Sequence, residues 1–452
     1  MNNFVVVGGG TAGWITALFI KKNVPYSEVT VIASSEIGIL GAGEGTTPPF
    51  IKFLENLNIS VEDIIKHAKG TIKNGIKFTN WNGDGSYYYH PFWEKNSIGL
   101  SEELCNNSLV NYNKLLEKQD IDALHFDANL LAKYLQTIGL KRGINLIDDE
   151  VVEILQNEKE YITGLKLKSN TIVDLDFVFD CSGFKRLIIG KHYKSQWNSY
   201  ADILPVNRAM PFFLDNANEN NLPPYTEAIA MKYGWMWKIP VQGRYGCGYV
   251  FDSSYVTDEE IKQELEDYLG HEIKSPRMFN FDAGCYEKTW IKNCIAIGLS
   301  SGFSEPLEAT SIWIQTTSLE YFLYKINGIL LRDDQSIEEY NNGVNRMNYD
   351  LVNFIQFHYL SQRKDSEFWR NFETKTKKTQ TMKSLLEICK GRLPIIGDMV
   401  CGENSILKTY KIDSWYLIGN GTKRFNVDLY TDKPYDTKGF INHSEYIDHV
   451  NL

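Results

Sequence analysis

The first thirty residues constrain this chain more than any other stretch. Phe4-Val5-Val6-Val7 is a short apolar run of the kind that forms a strand buried on both faces. Gly8-Gly9-Gly10-Thr11-Ala12-Gly13 follows at once, Trp14 to Asn23 can form a helix, and Val29-Thr30-Val31-Ile32 reads as a second strand. Gly8, Gly10 and Gly13 thus stand in GxGxxG spacing between a strand and a helix. The first glycine permits the turn, the second lets backbone N–H groups approach a pyrophosphate, and the third lets helix and strand pack closely. The helix N-terminus adds a positive dipole. Glycine-rich turns without a ligand are common, so the weight of the motif comes from its place in a βαβ unit, which points to a dinucleotide. One part departs from the pattern. An acid normally closes the second strand to hold a ribose hydroxyl, but Ala33 stands there. Glu36 either replaces it from the following loop or is a solvated charge. A second glycine-rich loop, Gly41-Ala42-Gly43-Glu44-Gly45-Thr46-Thr47-Pro48, either wraps a cofactor or forms a surface turn.

Further short apolar runs lie at Val173 to Phe179 and Asn293 to Ile297, each ending in small residues, and a strand-rich stretch begins near Val151. After about Thr310 the pattern turns largely helical. The 452 residues contain no repeat and no Pro/Ser-rich linker, which favours two interleaved modules over separate beads. Lys plus Arg number 47 against 57 Asp plus Glu, a formal charge of -10 without a basic run. That balance does not suit nucleic acid or an anionic membrane surface. No apolar stretch reaches the ~18–20 residues of a membrane span, and Met1-Asn2-Asn3 lacks the positive charge of a secretion signal. Seven cysteines, odd in number and never spaced CxxC, argue against a disulfide framework or a metal site and suit free thiols in a reducing cytoplasm.

Several segments together resemble the flavin-dependent halogenases of the tryptophan-halogenase type. They are Gly8 to Trp14, Gly43-Glu44-Gly45-Thr46, and Trp235-Met236-Trp237-Lys238-Ile239-Pro240, which is the WxWxIP signature. Matching segments also occur at Gly75 to Phe78, Tyr89 to Phe92, His125 to Ala128, Asp180 to Phe184, Leu204 to Ala209 and Pro306 to Ser311. Each alone is weak; their common order through most of the chain is specific.

The resemblance implies an FAD-binding α/β module of glutathione-reductase type, with Gly8, Gly10, Thr11, Ala12, Gly13, Trp14, Gly43 and Glu44 on the cofactor. It implies FADH2 as the working cofactor, halide and O2 as co-substrates, and a separate flavin reductase as partner. Hypohalous acid formed at the flavin would pass to Lys73 and halogenate a small electron-rich arene, a phenol or indole. Glu308 would polarise the electrophile or take the arene's proton. Thr310 and Ser311 match the halide-binding pair, with Ser311 where well-known members carry glycine and Ala309 where they carry serine. His90 and Phe92 match the aromatic-binding positions, and Trp235 and Trp237 the flavin side.

Without the resemblance these residues read differently. Lys73 is one of several lysines from Lys66 to Lys77, a pattern suited to the solvated face of a helix. Glu308 could cap a helix after Pro306, and alternating tryptophans are routine core residues of a strand. Gly298-Leu299-Ser300-Ser301-Gly302 also satisfies GxSxG, so a serine hydrolase with Ser300, Asp334 and His358 is an alternative. A flavin-dependent aromatic monooxygenase is a nearer one. The expected organisation is a cofactor module over residues 1–330 with inserted substrate-contacting segments, and a largely helical module over 331–452.

Overall fold

Alternation along the first strand sets the layering. Phe4 and Val6 of Asn3–Val7 join an apolar cluster with Trp14, Ile15 and Leu18 of the helix Thr11–Asn23. Val5 and Val7 join a second cluster with Ile162, Leu165 and Leu167 on the other side. A strand buried on both faces needs a layer on each, and the chain supplies both. The computed structural model describes residues 3–38, 44–92, 114–116, 122–215, 222–274, 278–325, 333–395, 398, 409–424 and 440–451.

The layer between is a six-stranded sheet in the order Trp290–Ile291, Cys294–Ala296, Phe177–Asp180, Asn3–Val7, Glu28–Ala33, Asn145–Asp148. All neighbours run parallel except the edge hairpin Trp290–Ile291/Cys294–Ala296. Helices cover one face. An antiparallel meander of Val151–Gln156, Ile162–Leu167 and Ile172–Asp174 covers the other. The apolar run from Val173 to Phe179 is therefore two strands in two layers, because Leu175-Asp176 turns the chain from the meander into the parallel sheet.

A seven-stranded sheet forms the second half. Its order is Phe279–Asn280, Arg208–Asp215, Arg244–Phe251, Gly234–Val241, Thr226–Met231, Gly75–Thr79, Tyr87–Pro91. It is antiparallel apart from the pairing of Thr226–Met231 with Gly75–Thr79. Gly234–Val241 carries Trp235, Trp237 and Ile239 into one apolar cluster and Met236 into another on the opposite face. The cluster around the two tryptophans is completed by helices Asp334–Tyr359, Glu367–Lys375, Gln380–Gly391 and Ile412–Gly421. A small sheet is interleaved in the chain with strands of the seven-stranded one: Glu44–Gly45 and Thr71–Lys73 flank Ala123–Phe126. From Thr71–Lys73 the chain crosses one residue, Asn74, into the seven-stranded sheet at Gly75.

The opening turn is sterically exclusive. Gly8 has φ +128°, and a Cβ there would lie 2.2 Å from the carbonyl oxygen of Cys181. A Cβ on Gly13 would lie 1.8 Å from the carbonyl oxygen of Gly8. Neither obstacle is a movable side chain, so Gly13→Ala should destabilise the protein by at least about 2 kcal/mol. Thermal unfolding of the two proteins would show this as a lower Tm for the variant.

Candidate active site

Residues 1–50 and 290–312 meet, although most of the chain separates them. Gly298, at φ +72°, leaves room where a Cβ would stand 2.9 Å from Cβ of Ala12, and Gln315 Nε2 donates to the Ala12 carbonyl at 3.3 Å. The turn at Gly8 to Gly10 has the features a pyrophosphate requires. Gly10 caps the helix Thr11–Asn23 without a side-chain acceptor, and the first turn holds no acid. The Thr11 hydroxyl oxygen is buried there without a partner. A helix start with open N–H groups and an orphaned hydroxyl suits an anionic group. Trp14 is buried beneath it against Gly139. Glu36 is placed elsewhere in character: it lies in an exposed turn and pairs with Lys168 at 3.2 Å. Gly43 lies outside the described residues. Glu44 opens the small sheet, where burial and nearby Asp127 push its carboxyl up to about 7.

Lys73 sits on a strand, not on the solvated helix face that its neighbouring lysines suggest. Its side chain is wholly buried because Thr71–Lys73 is sandwiched against Ala123–Phe126. Nζ donates to the Thr46 carbonyl at 2.9 Å and lies 4.7 Å from the Phe92 ring centroid. Gly45 makes this possible, since a Cβ there would come within 3.2 Å of Nζ. The second glycine-rich loop thus packs its described end onto the lysine. Burial lowers the ammonium pKa to about 7, with Glu308 pulling the other way.

Glu308 is equally buried and differently partnered. Both its oxygens face His90 Nδ1, at 3.2 and 3.0 Å, and Oε1 lies 2.8 Å from His358 Nε2. Burial pushes the carboxyl up, but His90 and His358 outweigh it and hold it at about 2. His90 reaches Ser414 Oγ through Nε2 at 2.9 Å. Phe92, Phe354 and Tyr410 pack around His90, and Tyr410 stacks on Phe354 with centroids 3.8 Å apart. No motif announced His358 as a partner of Glu308, or Ser414 and Tyr410 as neighbours of His90. They come from a long helix and a distant segment and are found only in three dimensions.

Glu308 does not lie inside a helix. Pro306 accepts from the Ala309 N–H at 3.0 Å, Ala309 adopts φ +54°, and the helix Ser311–Tyr324 starts only after Thr310. Thr310 is buried and makes no side-chain cap, while Ser311 is exposed. Trp235 and Trp237 are both buried, with centroids 6.1 Å apart on the same strand face.

The hydrolase arrangement is not assembled. Gly298–Ser300 is a single tight turn leading to a strand rather than a helix. Ser300 Oγ donates to the Gly183 carbonyl, His358 is engaged by Glu308, and Asp334 is exposed at the start of its helix.

The tryptophan halogenase family model matches residues 3–106 and 105–428. The chain belongs to that family. It is 30% identical to the tryptophan 6-halogenase ThaL of Streptomyces albogriseolus, over 86% of this chain and 82% of that protein. It is 29% identical to the tryptophan 7-halogenase RebH of Lentzea aerocolonigenes, over 82% and 78%. The solved structure of BrvH, a flavin-dependent halogenase from Brevundimonas, superimposes with a TM-score of 0.86 at 27% identity, covering 100% of this chain and 99% of that one. Tar14, a tryptophan C-6 flavin-dependent halogenase, gives 0.88 at 27%, covering 100% and 96%. Enzymes of this family are oxidoreductases that use FADH2, a halide and O2 to halogenate aromatic compounds. No described helix is long and apolar enough to cross a membrane.

The depressed lysine pKa gives a stability signature with a definite sign. Between about pH 7 and 10.5 the unfolded chain carries a proton on Lys73 that the native protein lacks. Native stability should therefore rise with pH through that window, by at most about 1.4 kcal/mol per unit from this residue. Denaturant unfolding of the protein and of Lys73→Met at several pH values would check it. The variant should lack this increment.

Proposed function

We propose that this protein halogenates small electron-rich arenes, phenols or indoles, through hypohalous acid received by Lys73. The observation that carries the reading is a buried amine with its pKa lowered to about 7, in one site with a buried carboxylate. Reduced flavin, O2 and halide supply the oxidised halogen when bound, and a separate flavin reductase supplies the reduced cofactor. Residues 1–330 would carry the cofactor in a glutathione-reductase-type module, with 331–452 closing the substrate side.

Each residue then has a physical task. Gly8, Gly10, Thr11, Ala12 and Gly13 offer backbone N–H groups, a hydroxyl and close approach to the cofactor's pyrophosphate. Trp235 and Trp237 form a bulky buried wall between cofactor and substrate. Thr310 and Ser311 present the uncapped start of a helix to the halide. Near pH 7 much of Lys73 is neutral, so its lone pair can attack the halogen of hypohalous acid, the O–halogen bond and one N–H bond breaking and water leaving to give a haloamine. It can otherwise accept a hydrogen bond from hypohalous acid. His90, Phe92 and Tyr410 give a flat ring an aromatic wall beside Glu308. When the ring carbon has bonded halogen, its C–H bond breaks, the electron pair returns to the ring, and Glu308 takes the proton. A carboxylate with a low pKa is basic enough for this, because an arenium ion is a far stronger acid.

Lys73→Ala should oxidise FADH2 and release hypohalous acid at the normal rate, yet lose halogenation of arenes when a hypohalite scavenger is present. Glu308→Gln should slow product formation about a hundredfold while retaining FAD. Unchanged rate and regiochemistry in Lys73→Ala would refute the role of the lysine. A substrate panel including phenols, indole and free tryptophan tests the substrate class; turnover of tryptophan alone would overturn it.

The halide follows from the start of the Ser311–Tyr324 helix. Chloride holds its electrons and hydration most tightly, so its oxidation demands the best preorganised site. A serine side chain at 311 adds bulk where bare backbone would otherwise approach the anion. Equimolar competition should therefore favour bromide or iodide over chloride, and Ser311→Gly should move the ratio toward chloride. A mainly chlorinated product would count against this role.

A further inference from the structure

Among the described residues, three aromatic rings border the imidazole of His90. Phe92, Phe354 and Tyr410 have their centroids 6.0, 5.8 and 6.5 Å from it, and His90 itself lies 3.0 Å from Glu308. Electrophilic halogenation needs a ring into which electron density is fed, and a plain phenyl ring has no group that feeds it. Of the three, Tyr410 alone carries one. A ring hydroxyl feeds its lone pair to the carbons ortho and para to it. In tyrosine the para carbon bears the side chain, so the ortho carbons are left to react. The fold thus places a phenol, the same chemical class as the proposed substrate, in the wall of the site.

Tyr410 is also held there from two sides. Its ring stacks on Phe354 with centroids 3.8 Å apart and planes 22° from parallel. The preceding residue, Thr409, donates through Oγ1 to Asp350 Oδ2 at 3.1 Å. Asp350 and Phe354 stand four residues apart on the helix Asp334–Tyr359, so one helix face supplies both anchors. The Tyr410 hydroxyl oxygen is buried and, among the described residues, has no hydrogen-bond partner. No donor there draws on the lone pair that activates the ring. Glu308 is near enough that its charge, added to burial, pushes the phenol well above its usual range. Trp415 also packs on Phe354, but it lies against Phe357 in the core and is not one of the rings bordering His90.

We propose that Tyr410 is a site of self-halogenation: when no arene occupies the site, hypohalous acid halogenates a ring carbon ortho to the Tyr410 hydroxyl. That carbon attacks the halogen, the oxygen–halogen bond breaks, and its electron pair leaves with the oxygen as hydroxide. The C–H bond then breaks, its electron pair returns to the ring, and the proton joins the hydroxide as water. The ring is oxidised by two electrons and the halogen takes them up, so one hypohalous acid gives one halotyrosine and one water. The proposal rests on the halogenase reading and adds an internal competitor to it. A substrate seated beside Glu308 covers Tyr410 and consumes the oxidant first.

The test supplies the whole protein with FAD, a flavin reductase, O2 and bromide, without arene, and with a hypohalite scavenger to remove oxidant that escapes. Peptide mass spectrometry with fragmentation then locates bromine on each tyrosine and tryptophan. Tyr26 and Tyr324, 98% and 78% exposed, report any oxidant acting from solution. Proximity should brominate Tyr410 at least about tenfold more than either, and a saturating arene substrate should lower the mark by a similar factor. Equal bromination of the exposed tyrosines would overturn the proposal, as would a mark that a turned-over arene does not lower. An unmodified Tyr410 in protein that brominates an added arene would also overturn it and leave the halogenase reading standing. If neither the protein nor any arene of the substrate panel is brominated, the halogenase reading fails and self-halogenation with it. Tyr410→Phe keeps the ring but removes the activating hydroxyl, so position 410 should carry no bromine; bromine there would count against the proposal. If that variant does not fold, the unaltered protein still decides.

Discussion

A carboxylate buried to 1% exposure governs the arrangement of this site. Removing an ion from water costs several kcal/mol even after relaxation, and only close, well-oriented donors offset it. Glu308 finds them on two histidines from separate elements: His90 at the edge of the seven-stranded sheet and His358 near the end of the 26-residue helix Asp334–Tyr359. The sheet edge, the loop before Ser311 and the long helix must therefore converge before the charge is tolerable. Loss of either partner would strand the carboxylate, which makes the site a structural as well as a chemical junction.

Lys73 answers the same constraint in the opposite way. Its ammonium donates to a neutral carbonyl and has an aromatic ring beside it. Burial without a contacting anion favours the neutral amine. A direct ion pair with Glu308 would hold both groups charged and occupy the lone pair that an electrophile needs. The small sheet keeps them distinct by tethering the lysine to the Thr46 end of the second glycine-rich loop. Only Asn74 separates Lys73 from the seven-stranded sheet, so Thr46 and the strand leading to that sheet meet at one side chain.

The fold was legible in the sequence where a short motif carries its own geometry. Gly8 and Gly13 had to be glycine because backbone atoms occupy the space of their side chains, and strand–turn–helix context revealed this. Trp235 and Trp237 fall on one face because a strand repeats every two residues. Lys73 shows the limit of local pattern. Its neighbours Lys66 and Lys69 are exposed, and the change of element at Gly70 that buries Lys73 is set by pairing with residues some fifty positions later. The apolar run at Val173 to Phe179 hid a change of layer for the same reason. His358 entered the sequence reading only as the candidate base of a serine hydrolase, since its contact with Glu308 depends on residues fifty positions apart.

Glu305 supplies an internal comparison for the role of the histidines. It lies three residues before Glu308, is buried to the same 1%, and shares its segment. The Tyr359 hydroxyl donates to it at 2.9 Å. Burial pushes its carboxyl up to about 8 despite that bond, while Glu308 is held at about 2. Two glutamates at one depth thus lie on opposite sides of neutrality. Tyr359 follows His358 directly in the helix, so successive side chains serve the two acids, one through its hydroxyl and the other through its imidazole. Depth alone would raise the Glu308 carboxyl as it raises that of Glu305; the imidazoles of His90 and His358 are what separate the two acids.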